Sequence, residues 1–241
     1  MKSIDQILEY RRSVRIYDEN AEYNSEIIKS CLKRATLAPN SSNLQLWEFY
    51  HIQSPEVKKQ LAAYCMNQSA ARTSNELVVV VTRKDLWKSR AKFNLDLAVK
   101  GFDTNDPAKY GKKEKRVFSY YNKLIPNLYK DFWGIYGRLK KLLTFFIGLK
   151  RPMYREVLAS DVRIVAHKSA ALAAQTFMIS MAAEGYDTCP MEGFDSSRIK
   201  KLLKLPNGAE INMVIACGKR AEGGIYTERR RVDFSEVYKK I

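Results

Sequence analysis

A continuous run of β-branched residues in the first half of the chain is the feature that most constrains its fold. The run reads E-L-V-V-V-V-T-R-K over residues 76–84 and shows no alternation of polar and apolar positions. Such a strand is covered on both faces, because the side chains that point to either side of the sheet are apolar. A similar strand is predicted over 210–220 and an alternating one over 47–53. The fold therefore needs a packed layer on each face of its central sheet.

Helices are predicted around these strands from apolar residues spaced three and four apart and from capping residues. Ser3 begins the first helix, Pro39 ends the second, and Gly185 is suited to end the longest one. The longest helix is rich in alanine and serine, so we expect it to be buried in the core or at a subunit interface. The predicted helices cover residues 3–12, 25–38, 54–66, 160–185 and 196–206.

Length and composition limit the classes to which the protein can belong. The 241 residues, of which 46% are hydrophobic, predict one domain with a sizeable core. The four cysteines form no C-x-x-C pair and neither histidine lies at zinc-ligand spacing from a cysteine, so we expect no metal site and no disulfide framework. Reduced thiols in a cytoplasmic protein fit best. We expect no signal peptide and no membrane-spanning helix.

Three guanidinium groups and a hydroxyl lie within five residues at the predicted end of the first helix. They belong to Arg11, Arg12, Ser13 and Arg15. Arginine binds phosphate through paired donors and serine adds another, so a phosphate-bearing ligand is one interpretation. A basic helix end that complements the helix dipole is the other.

A second polar stretch, A-P-N-S-S-N-L-Q-L-W at 38–47, has the composition of either a surface turn or a binding loop. Together with R-R-S-V-R at 11–15, it resembles the nitroreductase family of flavin-dependent oxidoreductases. The family pattern has Ser where residue 40 is Asn and Pro where residue 46 is Leu. The stretch G-Y-D-T-C-P-M-E-G-F-D at 185–195 resembles a third motif of the family. The resemblance covers about residues 3–85 and 160–232.

The resemblance implies an α+β fold with a central mixed β-sheet flanked by helices. It also implies an intertwined homodimer in which a C-terminal arm, residues 221–241, embraces the partner. FMN would lie at the dimer interface with both subunits lining each site. The implied FMN-binding residues are Arg11, Arg12, Ser13, Arg15, Pro39, Asn40, Ser41, Asn43, Gln45, Asn67, Pro190, Met191, Glu192, Gly193, Arg229 and Arg231.

The resemblance also assigns roles within this set. Arg11 and Ser13 would hold the phosphate and ribityl chain, and Arg15 would face the pyrimidine edge of the ring. A cation at that edge stabilises the negative charge of reduced flavin. Glu192 and Gly193 would lie near N5, the atom that receives hydride, so Glu192, Gly193 and Arg15 form the implied catalytic set.

Other members of the set would complete the cofactor site. Asn43 and Gln45 would supply side-chain hydrogen bonds, and Trp47 would pack beneath the flavin. The family often has a lysine three residues after the position of Asn67, and here that place is Ala70. In the tail Y-T-E-R-R-R-V-D-F, the arginines at 229 and 231 have the family's spacing for reaching the phosphate, although a solvated basic tail would look the same.

The implied activity is a ping-pong transfer of hydride from NADH or NADPH, through flavin N5, to a small-molecule acceptor such as a quinone or nitroaromatic. Two alternatives remain open from the sequence. One is a specialised relative on the same scaffold, such as a reductive dehalogenase or a flavin-fragmenting enzyme. The other is a protein that binds flavin or an anionic surface without turnover.

The net charge of +16 is concentrated in a segment that the resemblance does not cover. Residues 83–160 contain 19 Lys or Arg against 7 Asp or Glu, and about 86–159 reads as an insertion in the single domain 1–241. Its basic aromatic part, 117–155, has three interpretations: a substrate-covering lid, a helical pair that completes the core, or an anionic membrane contact through Trp133, Phe145 and Phe146. No nucleic-acid fold signature is visible, so nucleic acid is not expected.

Overall fold

A four-stranded sheet with helices on both faces forms the centre of the computed structural model, which describes residues 2–130 and 134–241. The strands are β1 (Trp47–Ile52), β2 (Glu76–Thr82), β3 (Asp187–Met191) and β4 (Glu210–Gly218). The helices are α1 (Ile4–Tyr10), α2 (Ser25–Ala35), α3 (Pro55–Tyr64), α4 (Ser69–Thr73), α5 (Trp87–Val99), α6 (Lys112–Ser119), α7 (Ile125–Tyr129), α8 (Ile135–Gly148), α9 (Ala159–Ala183), α10 (Ser196–Leu202) and α11 (Phe234–Val237).

The sheet has the strand order β1-β2-β4-β3, and every pair of these strands is antiparallel. The predicted α+β class and flanking helices are confirmed, but the four strands do not form the mixed sheet that was expected. Within the described residues, parallel pairing is limited to the bridge between Ser13 and Thr188. The connection from β2 to β3 is a crossover between strands of the same direction, but β4 lies between them and is antiparallel to both, so no two neighbouring strands of the sheet are parallel.

Both faces of β2 are buried, as its continuous apolar run predicts. Leu77, Val79 and Val81 pack in one cluster, against residues of α3, α4 and α10. Val78 and Val80 pack on the other face, in a cluster built mainly from α2 and α9. The central strand thus joins two hydrophobic layers and fixes the sheet between them.

The predicted helix limits follow from the caps. The Ser3 hydroxyl accepts a hydrogen bond from the Gln6 backbone nitrogen, and Gly185 ends α9 with a φ of 74°. The second helix is shorter than predicted, because regular α-helix stops at Ala35 and only a turn continues to Ala38.

Strand β3 was not predicted. Its sequence D-T-C-P-M contains a proline, but β3 lies at an edge of the sheet, where a missing N–H is tolerated.

The insertion is helical and packs on the loop that leads into β1. Ile125 and Tyr129 of α7 are buried in a third cluster that also contains Leu44 and Leu46. Residues of α5 and α9 complete this cluster. The interpretation of the basic segment as core-completing helices therefore holds for α7. Trp133, which one of the three interpretations placed at a membrane surface, lies outside the described residues.

Three observations concern the disulfide framework, the metal site and the membrane-spanning helix that the sequence analysis did not expect. All four cysteines are buried and free of disulfides. Among the residues that the structure describes, no group of His, Cys, Asp and Glu is arranged to hold a metal ion. Within the same residues, no helix has the length and apolarity that crossing a bilayer requires.

Glu76, the first residue of β2, should make stability depend on acid pH. His51 Nε2 and the hydroxyls of Ser25 and Tyr23 lie within hydrogen-bonding distance of its carboxylate. Burial raises the pKa of Glu76, but these hydrogen bonds outweigh burial and leave the pKa below its ordinary value. A depressed pKa contributes stability that is present above the unfolded-state pKa, about 4.3, and is lost as pH falls through the folded value.

Glu76→Gln should therefore lower the free energy of unfolding at pH 7 and flatten its decline below about pH 4.3. Urea denaturation at a series of pH values measures both effects. Glu19→Gln, at an exposed position, is the matched control and should keep the decline seen with the unaltered protein. If the free energy of unfolding falls equally steeply with decreasing pH in Glu76→Gln and in the unaltered protein, the role given to this carboxylate is contradicted.

Candidate functional site

The segment 11–15 leaves α1 and runs along the outer edge of β3. The backbone nitrogen of Val14 donates to the carbonyl of Thr188 at 3.3 Å, and that of Arg15 donates to the carbonyl of Gly224 at 2.7 Å. A side chain at position 224 would collide with the backbone oxygen of Ile16, so this close approach requires glycine. The segment is therefore held between β3 on one side and the start of the C-terminal tail on the other.

A cavity of about 440 Å³ opens where this segment meets the tail, and we call it the arginine cavity. Six of the predicted cofactor-binding residues line it. Arg230 and the neighbouring tail residues complete its wall. The lining residues are Arg11, Arg12, Ser13, Arg15, Ile225, Tyr226, Thr227, Glu228, Arg229, Arg230 and Arg231. It includes Arg229 and Arg231, although they are more than 210 positions from Arg11 and Arg12 along the chain.

The guanidinium groups of this cavity repel one another. Burial lowers the pKa of Arg11, and the charges of Arg229, Arg231 and Arg12 lower it further. Among the ion pairs formed within 2–130 and 134–241, none involves an arginine of the cavity. Converging cations without a protein counter-ion stabilise a bound anion, and paired guanidinium donors suit phosphate.

The tail is also fastened to the end of α1. Arg229 donates to the carbonyl oxygens of Leu8, Glu9 and Arg11 at 2.9–3.0 Å. A cation at the last carbonyls of a helix is favoured by their unsatisfied acceptors and by the helix dipole. The sequence left open that a basic group complements the dipole of α1, and Arg229 is a basic group in that position. The guanidinium groups of residues 11–15 line the cavity.

Asn67 and Gly193 are joined through Gln68. The Gln68 amide donates to the carbonyl of Gly193 at 3.0 Å and to that of Cys65 at 3.1 Å. Asn67 has a φ of 51° in the turn after α3, and its carbonyl accepts from Arg72 Nε at 3.1 Å. Two elements that are distant in sequence therefore lie side by side, and Arg72 supplies a cation there that the sequence did not single out.

The third motif contains β3 and continues beyond it, and so lies near the arginines. Pro190 and Met191 end β3, while Glu192 and Gly193 are exposed beyond it. The charges of Arg15 and Arg11 act on the Cys189 thiol, although burial still raises its pKa overall. One edge of the sheet therefore carries the arginine cavity and the motif 190–193, with Asn67 joined to that motif through Gln68. The buried Ala70 adds no charge.

The loop 39–45 is rigidly held by side chains from the insertion and α9. The Asn40 side chain accepts from the Gln45 backbone nitrogen at 2.8 Å, and the Ser41 backbone nitrogen donates to the Ser169 hydroxyl at 3.2 Å. Asn43 exchanges hydrogen bonds with Asn94 of α5, at 2.7 and 3.2 Å. These contacts stabilise backbone with positive φ at Ser42, Asn43 and Gln45.

A larger, mostly apolar cavity of about 610 Å³ lies between this loop and the insertion. The hydroxyl of Tyr120 contacts that of Ser42 at 2.8 Å, and Tyr121 donates to the Ser42 carbonyl at 3.2 Å. Most of the other lining residues are apolar or aromatic. The lining residues are Ser41, Ser42, Tyr120, Leu124, Asn127, Leu128, Tyr136, Lys140, Leu143, Thr144, Met153, Tyr154 and Val157.

Within one chain the two halves of the predicted site are separate. The loop 39–45 leads into Trp47 at one corner of the sheet, whereas Ser13 lies outside β3 at the diagonally opposite corner. Strand spacing and rise put these corners roughly 25 Å apart. No residue of the loop lines the arginine cavity. Trp47 is itself buried among residues of α2 and α9.

An ion pair that the sequence analysis missed holds the arginine segment in position. Arg220, just after β4, donates to both Asp187 of β3 and the carbonyl of Tyr10 at the end of α1. Asp187 is almost fully buried, and it also accepts from the Arg220 backbone nitrogen at 2.9 Å. No local signal marks this pair, because its partners are 33 residues apart and the aspartate lies in a strand that was not predicted.

Comparison with known proteins identifies the family and the fold. The sequence model described as the nitroreductase family matches residues 8–219. Protein DrgA of Synechocystis is 28% identical over 222 residues, which cover 92% of this chain and 86% of that protein. YdgI of Bacillus subtilis, provisionally named an NAD(P)H nitroreductase, is 27% identical over 95% of this chain and 93% of its own. A protein from Exiguobacterium sibiricum, solved in complex with FMN, shares the fold with a TM-score of 0.68 at 22% identity, covering 100% of this chain and 98% of its own.

Proposed function

Because the chain belongs to the nitroreductase family, whose members are FMN-dependent oxidoreductases, we propose that it transfers hydride from NADH or NADPH to a quinone, nitroaromatic or similar acceptor by ping-pong kinetics. The observation that carries this proposal is the arginine cavity, where six arginines from both ends of the chain converge beside one acidic residue, Glu228, and take part in none of the ion pairs within 2–130 and 134–241. A phosphate-bearing cofactor supplies the missing negative charge.

The residues of the arginine cavity fit the phosphate of FMN. Arg11 would bind it together with Arg229 and Arg231, and Ser13 would add a hydroxyl. When bound, FMN supplies N5 as the atom that accepts and donates hydride. Arg15 would stabilise negative charge at the pyrimidine edge, with Arg72 as a second cation beside Asn67.

A second copy of the chain would complete the site. The loop 39–45 and the arginine cavity lie at opposite corners of one sheet, so a twofold-related copy would have to bring its loop to the cavity. The tail from Tyr226 to Ile241 is exposed throughout in the single chain and includes Val232, Phe234 and Val237. Exposed apolar residues on an extended tail support its assignment as an arm that embraces the partner.

The apolar cavity beside the loop would receive the acceptor. It contacts the cofactor loop directly, through Ser41 and Ser42, and its other walls are mostly aromatic and aliphatic. Such a pocket, with a few hydroxyl groups, suits a planar aromatic acceptor such as a quinone or a nitroaromatic. The lid interpretation of the insertion therefore applies to the helices that surround this cavity.

The function is tested by purifying the protein from flavin-replete cells and mixing it anaerobically with NADH and with NADPH. We expect a yellow protein whose flavin absorbance is bleached by one or both reductants and recovers when a quinone or nitroaromatic is added. A protein that binds FMN and is not bleached would be a flavin-binding protein without turnover. A colourless protein that binds no added FMN would end the proposal.

Arg15→Ala should lower the two-electron reduction potential of the bound flavin by about 30–60 mV, equivalent to about 1.4–2.8 kcal/mol. The reason is that the reduced flavin would lose a nearby cation that stabilises its negative charge. Anaerobic titration against reference dyes measures the potential. Arg198→Ala, which removes an exposed arginine elsewhere, is the control and should leave the potential unchanged. An unaltered potential in Arg15→Ala would remove Arg15 from the catalytic set.

A further inference from the structure

Helix α8 packs on the protein through its small residues and turns its large ones to solvent. The residues it buries are Gly137 and Thr144, which lie two turns apart on one face. Eight large apolar residues on α8 or directly after it are 50–67% exposed: Ile135, Tyr136, Leu139, Leu142, Leu143, Phe145, Phe146 and Leu149. A surface helix ordinarily buries its large apolar residues, so this arrangement is the reverse of a core-facing helix. A contiguous exposed patch of this kind marks an interaction surface.

The orientation of α8 is fixed by hydrogen bonds from the middle of the helix and at its C-terminal end. Lys140 donates to the carbonyl oxygens of Asn127, Leu128 and Lys130 at 3.1 Å, which fastens the helix to the end of α7. Near the C-terminal end, Arg155 donates to the Gly148 carbonyl at 3.0 Å. The exposed apolar face is therefore held outward by contacts that a rotation of the helix would break.

The charges from the start of α8 to Arg155 have one sign, and Glu156 is the first acidic residue after them. From Gly134 to Arg155 the sequence contains six basic residues and no acidic one. Three of them, Arg138, Lys141 and Arg155, line a cavity of about 500 Å³ together with Leu142 and Phe145. Cations beside leucine and phenylalanine are the composition of helices that lie in the interface of an anionic bilayer. At 14 residues, α8 is about 21 Å long, which suits a position in the plane of the surface.

We propose that α8 docks on an anionic lipid bilayer. Leu142, Phe145 and Phe146 would enter the boundary between headgroups and acyl chains, and the three cations of the neighbouring cavity would bind headgroup phosphates. The alternative occupant, a second copy meeting α8 with its own α8, would place these six cations against the same six and so repel itself. Charge complementarity therefore selects the lipid surface.

The proposal is tested by cosedimentation of the full chain with vesicles. We expect binding to vesicles of phosphatidylcholine mixed with phosphatidylglycerol, and little binding to phosphatidylcholine alone, with affinity falling as salt is raised. Phe145→Ser with Phe146→Ser should weaken partitioning on the order of 10-fold or more for each phenylalanine removed. Arg138→Glu with Lys141→Glu should weaken it at least about 30-fold, since each basic residue near the surface contributes roughly fivefold.

Lys112→Glu with Lys113→Glu is the matched control, because it changes the net charge equally, at exposed positions of α6 in the same insertion. It should retain most of the binding, and an equal loss would show diffuse attraction to a basic protein and overturn the proposal. Absence of binding by the unaltered protein would also overturn it. Analytical ultracentrifugation without vesicles measures the oligomer mass. If Phe145→Ser with Phe146→Ser lowers that mass, α8 forms a subunit contact instead. An unchanged mass with lost vesicle binding is the expected result.

Discussion

Arg220→Ala is expected to lower the free energy of unfolding by about 3–5 kcal/mol. The substitution removes the partner of Asp187, whose side chain is only 2% exposed, and leaves a buried carboxylate without its principal counter-charge. It also removes the hydrogen bond from Arg220 to the carbonyl of Tyr10, which ties the end of α1 to the sheet. Equilibrium urea denaturation of the purified protein measures the loss.

The matched control for this prediction is Arg198→Ala. Arg198 pairs with Asp195 at 3.4 Å, but its side chain is 70% exposed, and a surface pair of this kind contributes about 0–1 kcal/mol. The two substitutions remove the same group from an ion pair and differ in the burial of the pair. If both cost the same, the Arg220–Asp187 pair does not hold the arginine segment in place.

Arg11→Ala is expected to weaken FMN binding about 10- to 150-fold, which corresponds to roughly 1.5–3 kcal/mol for a hydrogen-bonded charged group. Arg11 is half-buried between the other guanidinium groups of the cavity, where its pKa is already lowered by burial and by their charges. At this position the charge of Arg11 would compensate the phosphate for the water that it loses on binding. Fluorescence titration of the flavin-free protein measures the dissociation constant.

Riboflavin separates a phosphate contact from a general loss of structure. It has the ring and ribityl chain of FMN without the phosphate, so its affinity should be nearly the same for Arg11→Ala and the unaltered protein. A parallel loss for FMN and riboflavin would mean that Arg11 supports the fold of the site and does not contact the phosphate. Arg198→Ala should change neither affinity, because that arginine lies outside the cavity.

Local sequence patterns were sufficient for most of the sheet and its helices. The strand at 76–82 is central because each side chain of its run 77–81 is apolar whichever face it reaches. Ser3, Ser54 and Gly185 set helix limits through contacts with near neighbours, which a sequence displays directly. Strand β3 was missed because its pairing with β4 is a long-range contact that overrides its proline and its short length.

The candidate site was predicted less completely. The motifs identify Arg11, Ser13 and Arg15, and the arginine cavity brings them together with the tail arginines. No local sequence pattern predicts the roles of Gln68, Arg72 or the residues that hold the loop 39–45, because these roles depend on hydrogen-bond partners in other elements. The individual cofactor contacts, the homodimer and the single domain with its insertion stay predictions, and the experiments above address the first two.

By itself, the sequence determined the family, the α+β class, the caps and the order of the motifs, because these depend on residues within a few positions of one another. Only the tertiary structure decided that the sheet is antiparallel, that Arg220 links α1 to β3, and that the loop 39–45 and the arginine cavity occupy opposite corners. It alone also showed that α8 turns its leucines and phenylalanines outward. Each of these depends on which distant segments pack together, and packing is set by the burial of the whole chain, which no local pattern records.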